Sequence, residues 1–215
     1  MRSCLLALAL STIAVAGVAG AAEEQNTEAA KKATPGTTAT AGATETDPHK
    51  QKLLKEIQKT SVPDAHHEAL KPLTGKFDTQ AKMWFGSKFP ERVTGHDHAE
   101  AILGGRFIED HYDSVVWGKP WAGQGLLGFD EREQKYVLSW IDNWGTWITV
   151  AQGTADATNH VITLTTRDWD DPAGKTRPTK FIITIDSEEH HWKRIYERVA
   201  GKETLTMEIE YRRTK

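Results

Sequence analysis

Residues Gly95–Ser114, GHDHAEAILGGRFIEDHYDS, decide how this chain folds. Two adjacent glycines, Gly104 and Gly105, separate runs that alternate in character, and a two-residue loop with both residues at positive φ matches the twist of the strands it joins. The reading is a β-hairpin in which Leu103 pairs with Arg106. Counting outward sets Ile102 against Phe107, Glu100 against Glu109, His98 against His111 and His96 against Asp113. These eight residues share one face. Asp97, Ala99, Ala101, Leu103, Arg106, Ile108, Asp110 and Tyr112 share the other. Both faces are mixed, so the pattern sets the register without saying which face turns inward.

The same alternation continues on both sides of the hairpin. Ten strand runs can be marked between Lys76 and Arg212, the first Lys76–Phe85 and the last Thr204–Arg212. They are separated by turn residues such as Trp117-Gly-Lys-Pro120 and Ala200-Gly-Lys202. Regular spacing, short loops and no crossover helices describe an all-β antiparallel meander, which removes its edges most simply by closing into a barrel. A two-layer sandwich is the competing architecture. Asp64 can cap a two-turn helix, Ala65 to Lys71, with Leu70 and Leu73 turned inward, and that helix could cover one end.

The N-terminus is organised differently. Residues 1–21 carry Arg2, an apolar run from Leu5 to Val18 and a small-residue ending, Ala19-Gly20-Ala21. This is the layout of a cleaved export signal, and the run is shorter than the roughly 20 residues a membrane-spanning helix needs. The expectation is export to the periplasm or medium, with no stable membrane insertion after cleavage. Cys4, the single cysteine, leaves with the signal, so the mature chain has neither disulfides nor thiolate ligands. Loss of Arg2 takes the formal charge from -3 to -4, which argues against nucleic acid or anionic membrane as an obligatory partner. Residues 22–46 are rich in Ala, Thr, Glu and Lys and read as a disordered linker. Residues 47–60 read as a short helix that starts at Asp47-Pro48 and bears Leu53, Leu54 and Ile57 on a narrow stripe expected to dock on the domain. The barrel domain follows over 63–215, about 150 residues and enough for a single core.

Several of these residues together resemble a known family. The pattern His66-x-x-x-Leu70-x-x-Leu73-x-Gly75-x-Phe77, then Leu103-Gly-Gly-Arg-Phe107, Gly123-x-Gly125 and Gly128-Phe-Asp130 is similar to that of the bacterial domain of unknown function 1579. Tyr136-x-x-x-Trp140, Gly153 and Tyr211-Arg-Arg213 extend the resemblance over about Ala65 to Lys215. It implies a lipocalin-like, or calycin, barrel. It implies no activity and no catalytic residues.

Three residue sets could carry chemistry. On the first hairpin face, His96, His98, His111 and Asp113, with Glu100 opposite Glu109, place imidazoles and carboxylates about 5 Å apart at Cβ, near enough to share a zinc or copper ion. A solvated outer face is the plainer reading of the same residues, and no cofactor is otherwise expected. The second set is the eight tryptophans, of which Trp140, Trp144 and Trp147 surround one hairpin while Trp117 and Trp121 flank a loop at a barrel mouth. Aromatics with one polar edge suit the wall of a ligand cavity and also fill cores. The third is buried polarity on the second hairpin face, where Asp97, Arg106, Asp110 and Tyr112, with Arg194 and Arg198, could hold an anionic ligand head. Leu205, Met207, Ile209 and Tyr211 read as core, and His190-His191 as a charged loop.

Motifs for a nucleophile, a phosphate loop or a dinucleotide site are missing from the sequence. No residue set points to a reaction, although a barrel of this shape can host acid–base chemistry. The leading expectation is an exported barrel holding a small, largely apolar molecule, with Arg106, Asp110, Tyr112, Trp117, Trp121 and Trp140 as its ligand-binding residues. The alternatives are a metal-binding protein built on the hairpin face and a structural or interaction protein whose barrel is filled.

Overall fold

The computed structural model describes residues 47–170 and 175–215; the leader and the linker expected over 1–46 lie outside them. Helix α1 spans Pro48–Lys59, helix α2 Ala65–Glu68, and a single 3₁₀ turn Lys71–Leu73. Ten strands follow: β1 Gly75–Met83, β2 Glu91–Ile102, β3 Phe107–Val116, β4 Lys119–Asp130, β5 Lys135–Asp142, β6 Thr149–Ala155, β7 Val161–Asp170, β8 Lys175–Ser187, β9 His190–Val199 and β10 Lys202–Arg213. Each pairs antiparallel with the next, and β1 pairs with β10, so the sheet closes on itself. The sandwich is excluded by this last pairing, in which Phe77 faces Arg213 and Met83 faces Met207.

The β2–β3 register is the one read from the sequence, from Ile102 opposite Phe107 to His96 opposite Asp113. The turn itself differs. Leu103, Gly104 and Gly105 all have positive φ, and the amides of Gly105 and Arg106 both donate to the carbonyl of Ile102. The loop is therefore four residues long, and Leu103 and Arg106 lie in it rather than forming the last rung. Because one residue was added on each side, the strand register is unchanged.

One barrel end is closed from within the chain. Asp64 caps α2 by accepting from the amides of His66 and His67, and the turn that follows drives Leu70 and Leu73 into a core with Ile108, Leu127, Ile162 and Leu164. His66 stacks on Phe129 at 4.1 Å, and the Tyr136 hydroxyl donates to the His66 carbonyl at 3.3 Å. A second cluster includes Phe77, Tyr112, Val116, Trp121, Ile209 and Tyr211, and β2, β3 and β4 contribute to both clusters.

Helix α1 forms where the sequence placed it, with the Asp47 side chain accepting from the His49 amide. Its stripe does not dock. Leu53, Leu54 and Ile57 are each about half exposed, at 53%, 51% and 51%, and the helix has no buried residue. Three apolar side chains on a lysine-rich helix offer too little area to hold it against the barrel.

Gly153 illustrates how closely the strands pack. A Cβ there would lie 2.0 Å from the Thr163 carbonyl oxygen of the neighbouring strand, and backbone cannot rotate aside as a side chain can. Gly153→Ala is expected to lower stability by about 1–3 kcal/mol, the usual range for overpacking. A urea midpoint equal to that of the unmodified protein would show that β6 and β7 separate freely there.

Candidate functional site

Strand alternation delivers the second hairpin face to the barrel interior. On β2 and β3 the inward residues include Asp97, Ala99, Ile108, Asp110 and Tyr112, all buried. On β9 they are His191 and Lys193, and on β10 Ile209 and Tyr211, with His191 opposite Tyr211 and Lys193 opposite Ile209. Between these walls lies a cavity of about 300 Å³. Its sides are mostly apolar, with Leu127, Leu138, Phe181 and Ile183 among them, and one polar patch is made by Asp110, Tyr112, His191, Lys193 and Tyr211.

An ion pair crosses the interior at this patch. The Lys193 ammonium, from β9, donates to Asp110 Oδ2, from β3. The same ammonium lies 4.8 Å from the centre of the Tyr211 ring, and His191 stacks on that ring at 4.3 Å and meets Phe77 edge-on at 4.8 Å. Burial alone would pull the Lys193 ammonium down, but the facing Asp110 carboxylate holds it well above its usual value. His191 is the opposite case. Burial, followed by the charge of Lys193, pushes its imidazole down to about 2, so it is neutral. Burial likewise pushes the Tyr211 phenol well above its ordinary value.

Asp97 sits behind the patch, paired in register with Phe77 on one side and Tyr112 on the other. Burial raises its carboxyl to about 7, with the Lys193 charge pulling the other way. Asp97 Oδ1, Asp110 Oδ1 and His191 Nδ1 are buried without a hydrogen-bond partner. The Gly123-x-Gly125 pair explains how the patch fits. A Cβ at Gly125 would stand 2.1 Å from Asp110 Oδ1, and one at Gly123 would stand 2.2 Å from the Trp140 ring. Each glycine leaves the space that a cavity-wall side chain fills.

The end of the barrel opposite α2 is aromatic. Trp84, Phe85, Trp121, Trp140 and Trp147 line the cavity there. Trp140 Nε1 donates to Asp142 Oδ2 at 3.1 Å, and Trp144 Nε1 donates to the Pro120 carbonyl at 3.1 Å, so both polar edges are satisfied. Trp117 stands outside this lining, 61% exposed, and packs on Phe85 and Trp144.

Of the six ligand-binding candidates read from the sequence, the structure brings Asp110, Tyr112, Trp121 and Trp140 onto one cavity wall. Trp117 lies at the outer rim. Arg106 is at the far end of the barrel, where its guanidinium donates to the carbonyls of Leu103 and Ser61, so it cannot partner Asp110. Arg194 pairs with Glu208 at 2.8 Å, and Arg198 donates to the Gly201 carbonyl in its own turn. The cation beside Asp110 is Lys193, which the sequence reading passed over. The clean alternation of β10 was the available signal, because pairing it with β9 turns His191 and Lys193 inward. His191 belongs to a strand wall and not to a charged loop.

The metal candidates lie on the outer surface. His96 Nδ1 is 2.9 Å from Asp78 Oδ1, His98 Nε2 3.2 Å from Glu100 Oε1, and His111 Nδ1 3.0 Å from Gln124 Nε2. His98 does face His111 across the ladder, and Asp113 is exposed. Among the described residues, the ligand atoms that converge to within 4.8 Å belong instead to Asp64, His67 and Glu131, where Asp64 already serves as the α2 cap.

Comparison with known proteins agrees with the architecture. A crystal structure of Rv2717c from M. tuberculosis superposes with a TM-score of 0.54 at 18% identity, covering 72% of this chain and all of the other. A redesigned beta barrel aligns at 11% identity over 68% of this chain and 96% of its own, with a TM-score of 0.37. No curated protein matches the sequence. Residues 62–213, the segment that runs from the α2 cap to the last strand, match the family described as Protein of unknown function (DUF1579), and the chain belongs to that family.

Proposed function

We propose that the barrel interior binds a small, largely apolar molecule, and that it does so after export, in the periplasm or the medium. The observation that carries this reading is the cavity of about 300 Å³ inside a closed barrel, at the lower end of the range for small-molecule sites. Its walls would supply apolar contact, and the aromatic mouth a way in. The leader-like sequence of residues 1–21 supports the location. A largely apolar occupant follows from the lining, since walls that are mostly apolar, and whose Asp110 and Lys193 are already paired with each other, offer little to offset the dehydration of a charged ligand body.

Native mass spectrometry of the untagged protein, purified from its own host, tests the reading. A complex carrying one organic molecule per chain is the expected result, and bare protein would sink a tight-binding role. Replacing His98 and His111 together by Ala should leave that mass unchanged, because both side chains point away from the cavity. Loss of the bound mass in this double variant would move the site to the outer face.

A further inference from the structure

We infer that the ligand's polar end is a hydrogen-bond donor, a hydroxyl or an amine, that sits against Asp110 and His191, and that a carboxylate end is rejected. This rests on the interior-binding reading above and adds the chemistry of the head group to it. Two polar atoms of the patch make no hydrogen bond. Asp110 is 8% exposed and His191 1% exposed, both line the cavity, and Asp110 Oδ1 and His191 Nδ1 have no partner. Buried polar atoms are ordinarily hydrogen-bonded, so two orphans on residues that line one cavity mark where a ligand's polar end would go; a carboxylate oxygen such as Asp110 Oδ1 accepts, and His191 Nδ1 accepts in the tautomer that keeps its proton on Nε2.

The charge balance points the same way. Among the described residues, the cation at the patch is Lys193, and it is already committed to Asp110 Oδ2 and to the face of Tyr211. Asp97 adds a second carboxyl close behind. An entering carboxylate would bring a third acid group to a single ammonium, and would set acceptor against acceptor at Asp110 Oδ1. A hydroxyl can donate to Asp110 Oδ1 and leave the ion pair intact. A protonated amine can do the same, and its charge would balance the second carboxyl when that group is ionised. His191, being neutral, can accept from either through an unprotonated ring nitrogen. Among the described residues that line the cavity, the other cation is Arg194, and its guanidinium is paired with Glu208.

Octanol, octylamine and octanoate carry the same chain and differ at the head. Titration calorimetry of each into the untagged protein at pH 7, where the amine is protonated and the acid ionised, reads the preference directly. Octanol and octylamine are expected to bind, with octanoate weaker by about tenfold or more. Octanoate binding as tightly as octanol would overturn the donor rule while leaving the interior-binding reading intact. Binding of none of the three would overturn the reading beneath it. Replacing the pair together, Asp110→Asn with Lys193→Met, should shrink the preference against octanoate to within about threefold while octanol still binds. A preference that survives in the folded double variant would show that the patch does not set it. The comparison on the unmodified protein decides the matter even if that variant does not fold.

Discussion

Lys193→Met is expected to destabilise the barrel by about 3–5 kcal/mol near neutral pH, the usual cost of removing one partner from a buried ion pair. The ammonium is the cation that faces both Asp110 and Asp97, and Asp110 is 8% exposed and Asp97 3%. Without it, at least one carboxylate must be buried uncompensated or take up a proton. The loss should therefore shrink as the pH falls and the orphaned acid is protonated. Removing both charges is a different matter. Asp110→Asn combined with Lys193→Met should regain most of the lost stability, because apolar or neutral replacements of similar shape need no counter-charge. Urea unfolding of the three proteins at two pH values checks all of this. A Lys193→Met variant within about 1 kcal/mol of the parent would mean that the ammonium contributes no more than an exposed pair does.

Asp97→Asn should make the barrel more stable above neutrality and leave it nearly unchanged in acid. Burial raises the Asp97 carboxyl to about 7 in the fold, against about 3.9 in an unfolded chain. A folded-state value above the unfolded one means that the folded protein holds its proton longer. Stability from this group is then fully present below about pH 4 and is lost as the pH rises to about 7. Asparagine mimics the protonated acid and does not titrate. The difference between variant and parent should therefore grow in the variant's favour across that interval, by up to about 4 kcal/mol at roughly 1.4 kcal/mol per pH unit. Chemical denaturation at pH 4.5 and pH 8 measures it. Equal differences at the two pH values would show that Asp97 ionises as freely inside the barrel as outside.

Both experiments act on residues that were only partly visible in the sequence. Asp97 and Asp110 stood out because charged residues alternate with Ala99, Ile108 and Tyr112 on one hairpin face. What was hidden was the facing. The opposite face carries His96, His98, His111 and Asp113 but also Ile102 and Phe107, and a period of two cannot choose between two mixed faces. The choice belongs to the closed sheet, which turns His96, His98 and Asp113 to solvent and buries Asp97, Ala99, Ile108, Asp110 and Tyr112 inside the barrel.

The sequence by itself determined the local geometry. The β2–β3 register, the Asp64 cap and the α1 start at Asp47-Pro48 all depend on neighbours within a few residues, and the structure contains each of them, although the turn at Gly104-Gly105 is four residues long rather than two. Ten alternating runs with short connections likewise favoured an antiparallel barrel over a sandwich, and the β1–β10 pairing closes the sheet. Only the tertiary structure decided who meets whom inside. Lys193 and Asp110 are 83 residues apart and on strands that are not neighbours, so no local pattern could pair them. Arg106 was the nearer candidate in sequence, but it fell in a four-residue loop at the far end, where its guanidinium found backbone carbonyls. Closure brings β3 and β9 face to face across the barrel, and in that low-dielectric interior a carboxylate needs whichever cation the opposite wall supplies.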